Sequence, residues 1–138
     1  MGTFHFYYPI EVRYADIDAQ GHVNNAKYLT YMEQARMAYL LHLGMWDGNS
    51  FMEVGTILAQ NLVNYLAPIR LLQPVRAGVR VARLGNKSLT MAYRLEDAQT
   101  GQELANGESV IVAYDYQQHT SIPLPDAWRL AITEFEKL

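Results

Sequence analysis

The residue types best suited to chemistry in this sequence are concentrated in one segment, residues 13–28. It contains two carboxylates, Asp16 and Asp18, and a histidine, His22, followed by two carboxamides just before a helical pattern. This order places a carboxylate near the positive end of a helix dipole. Backbone N–H groups at such an end can stabilise a developing oxyanion, and a neighbouring carboxylate can act as a base or a nucleophile. The segment is therefore a candidate site for attack on a polarised carbonyl group.

The same residue types also have an ordinary structural role. Asp and Asn are preferred immediately before a helix, where their side chains cap the first backbone N–H groups. On residue types alone, capping is the more common role. We expect Asp16 in particular to order the turn rather than to react.

The elements on either side of the segment position it. Residues 4–14 are aromatic and β-branched, and residues 10–14 alternate strictly, which predicts a half-buried strand. Over residues 26–43, apolar side chains recur at helical spacing. Asn24 or Asn25 can cap the start of this helix, and Gly44 can end it in the left-handed conformation. The candidate site thus lies between the end of a strand and the start of a long helix.

The second half of the chain is predicted to be mostly β-sheet. Runs bounded by turn residues predict four strands, at residues 56–66, 75–84, 89–96 and 104–116. The short breaks between successive runs predict antiparallel neighbours, and residues 125–138 predict a short amphipathic helix. This element order predicts an α+β fold in which one antiparallel sheet of about five strands wraps around one long central helix.

The composition favours a single globular domain and excludes several classes of protein. With 138 residues, half of them hydrophobic and 18% charged, the chain can bury a core as one domain spanning 1–138. The net charge of −3 has the wrong sign for a surface that collects phosphate backbones, so we expect no nucleic-acid partner. No run approaches the roughly 18 apolar residues of a membrane span, and the first ten residues lack the pattern of an export signal. We therefore expect a cytoplasmic protein.

No motif for a metal or a cofactor stands out. The absence of cysteine excludes thiolate metal sites, iron–sulfur clusters and thiol nucleophiles. The four histidines lack metal-ligand spacing, the isolated glycines form no phosphate-binding loop, and no serine lies in a nucleophile elbow. We expect an activity that needs no metal and no cofactor.

Tyr14, Asp16, Asp18, Gly21 and Tyr28 follow one another in a recognisable order. The order resembles the N-terminal signature of the hotdog-fold acyl thioesterases, the 4-hydroxybenzoyl-CoA thioesterase-like family. That signature has a strand end with an aromatic residue and two spaced aspartates, a small-residue turn with glycine, and a helix that begins near an aromatic residue. The resemblance implies a hotdog fold over nearly the whole chain and thioester hydrolysis as the activity.

The resemblance also implies roles for individual residues. Asp18 matches the family's catalytic carboxylate, which acts as a nucleophile or as a base for water. Asn25 stands at the helix start, where its backbone N–H would polarise the thioester carbonyl. Residues 18–25 are also similar to the plant acyl-carrier-protein thioesterases, in which a histidine at the position of His22 is proposed to take part. This chain has Gln20 where that branch has Asn.

Ligand and assembly follow from the same resemblance. The expected substrate is an acyl-CoA thioester, with Tyr28 lining its pocket and with Lys87 and Ser88, at a hairpin tip, binding the CoA phosphates. The expected assembly is a homodimer or homotetramer, because a single sheet leaves edge strands with unpaired backbone groups. Two alternatives stay open. One is an acyl-carrier-protein thioesterase, and the other is a non-catalytic acyl-thioester binding module, because Asn25 departs from the family pattern.

Overall fold

One antiparallel sheet with a long helix across its inner face forms the fold in this computed structural model, which describes residues 2–49 and 54–138. The strands are β1 (Phe6–Ile10), β2 (Val54–Tyr65), β3 (Val75–Leu84), β4 (Ser88–Asp97), β5 (Glu103–Asp115) and the short β6 (Thr120–Ser121). The helices are α1 (Asn25–His42) and α2 (Asp126–Glu136), and one turn of 3-10 helix covers Tyr14–Asp16. The sheet order is β1-β3-β4-β5-β2, and β6 pairs with β5. This architecture confirms the predicted α+β fold.

The predicted strand over residues 4–14 is confirmed as β1 only at Phe6–Ile10, and its continuation through residues 11–14 is wrong. β1 pairs with β3 only as far as Ile10, which lies opposite Val75, the first residue of β3. Beyond that point the chain has no strand partner in β3, and the Asp16 carboxylate draws the backbone into a turn by accepting a hydrogen bond from the Arg13 N–H. The alternating pattern therefore continues past the end of the sheet.

The predicted pairing of successive strands holds for β3, β4 and β5 but is wrong for β2. β2 pairs with β5, with Tyr65 opposite Ala105, so two strands separate it from β3. Alternation along a strand reports that its two faces differ, but it does not report which strand lies beside it. The segment between β2 and β3 crosses one end of the sheet, and this crossing brings the end of β2 close to the start of α1.

The core lies between α1 and the sheet. α1 buries Tyr31, Met32, Ala35 and Tyr39 and packs against β1 and β3. Gly44, at φ +72°, follows the helix in the left-handed conformation, as its sequence position predicts. The second helix, α2, packs against β3 and buries its own apolar stripe, Trp128 and Ile132.

β2 is the least covered strand of the sheet. It forms one edge, and the large apolar side chains along it are exposed, for example Leu58 at 43% and Leu62 at 54%. An edge strand presents unpaired backbone groups, and apolar side chains beside them form a surface suited to a partner.

Candidate active site

A buried carboxylate holds the turn that precedes α1. Asp16 is 1% exposed, and its Oδ2 accepts hydrogen bonds from the Tyr31 hydroxyl at 2.7 Å and the Arg13 N–H at 3.0 Å. Its Oδ1 accepts from the Arg13 guanidinium at 3.1 Å. Burial alone would raise the pKa of this carboxyl, but the hydrogen bonds from Tyr31 and Arg13 outweigh burial and hold the pKa below its usual value. Asp16 is therefore an ionised anchor for the turn, turned away from the pocket described below.

Asp18 lies two residues further along, half-buried, with both carboxylate oxygens engaged. Oδ1 accepts from the Gln20 N–H at 2.9 Å, and Oδ2 accepts from the Asn24 side-chain amide at 3.3 Å. The turn is closed by the bond from the Asp18 N–H to the His22 carbonyl and by Gly21, whose φ of +82° favours glycine. These bonds fix the carboxylate at the start of α1.

The first turn of α1 presents backbone N–H groups beside Asp18. Asn24 is the N-cap, since its Oδ1 accepts from the Ala26 N–H at 2.9 Å. Asn25 is the first helical residue, so its N–H has no carbonyl in a preceding helical turn to bond to. A helix N-terminus of this kind can stabilise negative charge on a ligand oxygen.

Asp18, His22, Asn25 and Tyr28, four of the predicted site residues, line one open pocket of about 400 Å³. The opposite wall comes from Tyr65 at the end of β2 and from residues 66–68 of the crossing segment that follows. The pocket therefore combines a carboxylate, a histidine and a helix N-terminus with an aromatic wall. Among the described residues, no cluster of three or more His, Cys, Asp or Glu side chains has metal-site geometry.

Two tyrosines form the aromatic wall. The rings of Tyr28 and Tyr65 lie edge to face, with centroids 4.9 Å apart. Both hydroxyls donate to backbone carbonyls, Tyr28 to Ala67 at 3.0 Å and Tyr65 to Asn25 at 3.1 Å. Burial raises the pKa of the Tyr28 hydroxyl, which keeps it a neutral donor. Sequence analysis missed Tyr65, because it lies on a strand 40 residues after Asn25 at the start of α1 and no local pattern marks it.

Lys87 and Ser88 lie elsewhere in the chain. They belong to the β3–β4 hairpin, which α2 braces through Arg129 side-chain bonds to the Gly85 and Asn86 carbonyls. Ser88 pairs with Val112 on β5, whereas Tyr65 at the pocket pairs with Ala105. The residues from Ala105 to Val112 span roughly 24 Å at the usual strand rise. Lys87 and Ser88 therefore do not line the pocket that contains Asp18 in the same chain.

Comparison with known proteins decides the family. The family model of the thioesterase-like superfamily matches residues 12–132, which include the pocket, α1 and the whole sheet beyond β1. This chain belongs to the thioesterase-like superfamily. Membership agrees with the hotdog arrangement of one sheet and one long helix, and it supports thioester hydrolysis as the activity.

Three relatives of this thioesterase are closely matched in length. The acyl-CoA thioester hydrolase YbgC of Escherichia coli is 30% identical over 113 residues, covering 81% of this chain and 83% of that protein. The PA5185 protein of Pseudomonas aeruginosa superposes with a TM-score of 0.88 at 30% identity, covering 96% of this chain and 92% of that one. A thioesterase of Thermus thermophilus, solved with coenzyme A and Zn, has a TM-score of 0.84 at 34% identity and covers 100% of this chain and 98% of its own.

Proposed function

We propose that this hotdog thioesterase hydrolyses acyl-CoA thioesters to the free acid and CoA, with Asp18 as the catalytic carboxylate. The observation that carries the proposal is the position of Asp18, which lines an open pocket beside the first backbone N–H groups of α1. The names of two relatives support the substrate class, because YbgC is an acyl-CoA thioester hydrolase and the Thermus thermophilus thioesterase was solved with coenzyme A.

The chemistry needs few groups. The thioester carbonyl oxygen accepts from the Asn25 N–H, which stabilises the oxyanion as the carbonyl carbon is attacked. Asp18 either removes a proton from the attacking water or attacks directly to form an anhydride that water then opens. The C–S bond breaks and sulfur takes the electron pair, and because a thiol has a pKa of roughly 8.5, it departs as a thiolate without a strong acid.

His22 is proposed to assist Asp18. Its half-buried side chain lines the same pocket, and its backbone carbonyl accepts from the Asp18 N–H at 3.0 Å. A histidine in this position can hydrogen-bond water or the leaving sulfur. We propose that Tyr28 forms the wall against which the acyl group packs.

CoA binding at Lys87 and Ser88 is proposed to involve a second subunit. In one chain these residues lie at the far end of the sheet from Asp18. We therefore propose that Lys87 and Ser88 of one subunit bind the CoA phosphates of a substrate whose thioester lies in the pocket of another subunit. The exposed apolar edge strand β2 is the surface we propose for a homodimer, which can associate further into a tetramer.

Substitution of Asp18 by asparagine tests the proposal. Asp18→Asn keeps the size of the side chain and removes its charge, so turnover of acyl-CoA should fall at least ~100-fold, the low end for a positioned base. Asp115→Asn is the matched control, because Asp115 accepts from the Gln117 N–H at 2.9 Å in the same local geometry but at the opposite end of the sheet. Release of free thiol from short, medium, long and aromatic acyl-CoAs measures the rate. Equal, small losses in both variants would contradict the proposal.

The same assay separates the two alternatives. An acyl-carrier-protein thioesterase, indicated by the run at residues 18–25, would hydrolyse a given acyl chain faster from the carrier protein than from CoA. A non-catalytic binding module would bind acyl-CoA without steady release of thiol from any member of the panel.

A further inference from the structure

Asn24 connects the start of α1 to the proposed catalytic carboxylate through its side chain. Its Oδ1 accepts from the Ala26 N–H at 2.9 Å, which caps the helix. Because that backbone proton requires an oxygen, the amide NH₂ group occupies the other branch of the carboxamide. There it donates to Oδ2 of Asp18 at 3.3 Å. One side chain therefore caps the helix and holds the carboxylate.

The hydrogen bond from Asn24 completes the restraint on Asp18. The other carboxylate oxygen is held by the Gln20 N–H at 2.9 Å. A carboxylate held at one oxygen can rotate about its side-chain bonds, whereas one held at both oxygens keeps a single orientation. Asp18 remains half-exposed to the pocket, so the two bonds fix its direction without removing it from a ligand.

The backbone of Asn24 is anchored independently of its side chain. Its N–H donates to the Asp16 carbonyl at 2.8 Å, and the preceding N–H, that of Val23, donates to the Ile69 carbonyl at 2.8 Å. These bonds do not involve the carboxamide. A substitution at this position can therefore change the contact with Asp18 while leaving the turn in place.

We propose that Asn24 is a positioning residue for the reaction, orienting the Asp18 carboxylate toward a thioester carbonyl bound at the Asn25 N–H. The inference rests on the proposed function, in which Asp18 is the catalytic carboxylate. Asparagine is suited to this position because it offers an acceptor to the helix and a donor to Asp18 at once. Serine and aspartate cap helices about as well, but neither carries the amide donor.

Two variants separate capping from positioning. Asn24→Ser keeps a capping oxygen and loses the amide, so we expect kcat to fall about tenfold, the effect of one weakened transition-state contact. KM and the melting temperature should stay close to those of the unchanged protein, because the pocket wall and the helix cap are retained. Steady-state kinetics on an acyl-CoA that the unchanged protein hydrolyses, together with thermal unfolding, provide both measurements.

Asn24→Asp also keeps the cap, but it places a second carboxylate within hydrogen-bond distance of Asp18. Two neighbouring carboxylates disfavour each other's ionised form, so the acidic limb of the pH profile of kcat/KM should move to higher pH. The titratable groups that line the pocket are Asp18, His22, Tyr28 and Tyr65, and Asp16 with Arg13 lies behind the turn. None of these residues changes in the variant, so the shift reports the new carboxylate.

Asn106→Ser is the matched control. The Asn106 carboxamide also accepts one hydrogen bond, from Asn64 at 2.8 Å, and donates one, to Glu103 at 3.5 Å, but it lies on β5 and does not line the pocket. Its kcat and pH profile should match the unchanged protein. An unchanged kcat in Asn24→Ser, or an acidic limb that does not move in Asn24→Asp, would overturn the proposal. So would a loss of kcat that merely accompanies a fall in melting temperature.

Failure of this inference is distinguishable from failure of the proposed function. If Asp18→Asn abolishes turnover while Asn24→Ser is fully active, Asp18 stays catalytic and Asn24 is only a helix cap. If Asp18→Asn keeps its activity, the proposed function itself fails, and the role of Asn24 fails with it.

Discussion

Replacing Tyr31 with phenylalanine removes one hydrogen bond from a buried carboxylate and leaves the packing of the ring intact. The Tyr31 hydroxyl donates to Oδ2 of Asp16 at 2.7 Å, and the two residues are 5% and 1% exposed. A hydrogen bond to a charged group contributes ~1.5–3 kcal/mol. We therefore expect Tyr31→Phe to lower the free energy of unfolding by about 2 kcal/mol at pH 7, which corresponds to roughly 7 °C in melting temperature for a chain of this length.

The pH dependence of this loss identifies its cause. Hydrogen bonds from Tyr31 and Arg13 outweigh burial and lower the pKa of Asp16 below its usual 3.8. A carboxyl whose pKa is lower in the folded state stabilises the fold above its unfolded pKa and loses that contribution as the pH falls through the folded value. The difference between the unchanged protein and Tyr31→Phe should therefore be complete near neutral pH and shrink below about pH 3.8.

Urea unfolding of both proteins between pH 7 and pH 3 measures the difference directly. Tyr14→Phe is the control, because Tyr14 lies in the same turn but is 83% exposed. Removal of the Tyr14 hydroxyl should change the free energy of unfolding by no more than ~0.5 kcal/mol, as for most surface substitutions. A loss in Tyr31→Phe as small as in the control, or one that stays constant down to pH 3, would refute the assignment of Asp16 as an ionised anchor.

Two further predictions concern β2. Gly107→Ala should destabilise the protein by ~1–3 kcal/mol, as overpacking does, because the new alanine Cβ would clash with the Leu62 backbone carbonyl across the β2–β5 pair. An unchanged midpoint of urea unfolding would contradict this clash. Leu62→Lys should convert the proposed dimer to the 15.7 kDa monomer, as measured by light scattering. Leu130→Lys, on the exposed side of α2 at 61% exposure, is the control and should leave the dimer intact. If the unchanged protein is already a monomer, the proposed assembly is contradicted.

The sequence by itself determined one half of the candidate site. Asp18, Gln20 and Asn24 hydrogen-bond within a span of seven residues, and the helix start follows directly. Such bonds depend on local side-chain and backbone geometry, and residue types and spacing accordingly indicated Asp18 as the carboxylate and Asn24 or Asn25 as the cap, although not the contact between Asp18 and Asn24. The same is true of α1, whose predicted ends differ from the observed ones by one residue.

Only the tertiary structure decided the other half. Tyr65 reaches the pocket because β2 pairs with β5 rather than with β3, and because the following segment crosses the end of the sheet. The same arrangement separates Lys87 and Ser88 from Asp18 and leaves β2 uncovered at the edge. Strand alternation indicates which side chains share a face, but the partner of each strand is set by contacts between distant parts of the chain. The carboxylate and the helix start are therefore local properties of the sequence, whereas the aromatic wall opposite them exists only in the folded sheet.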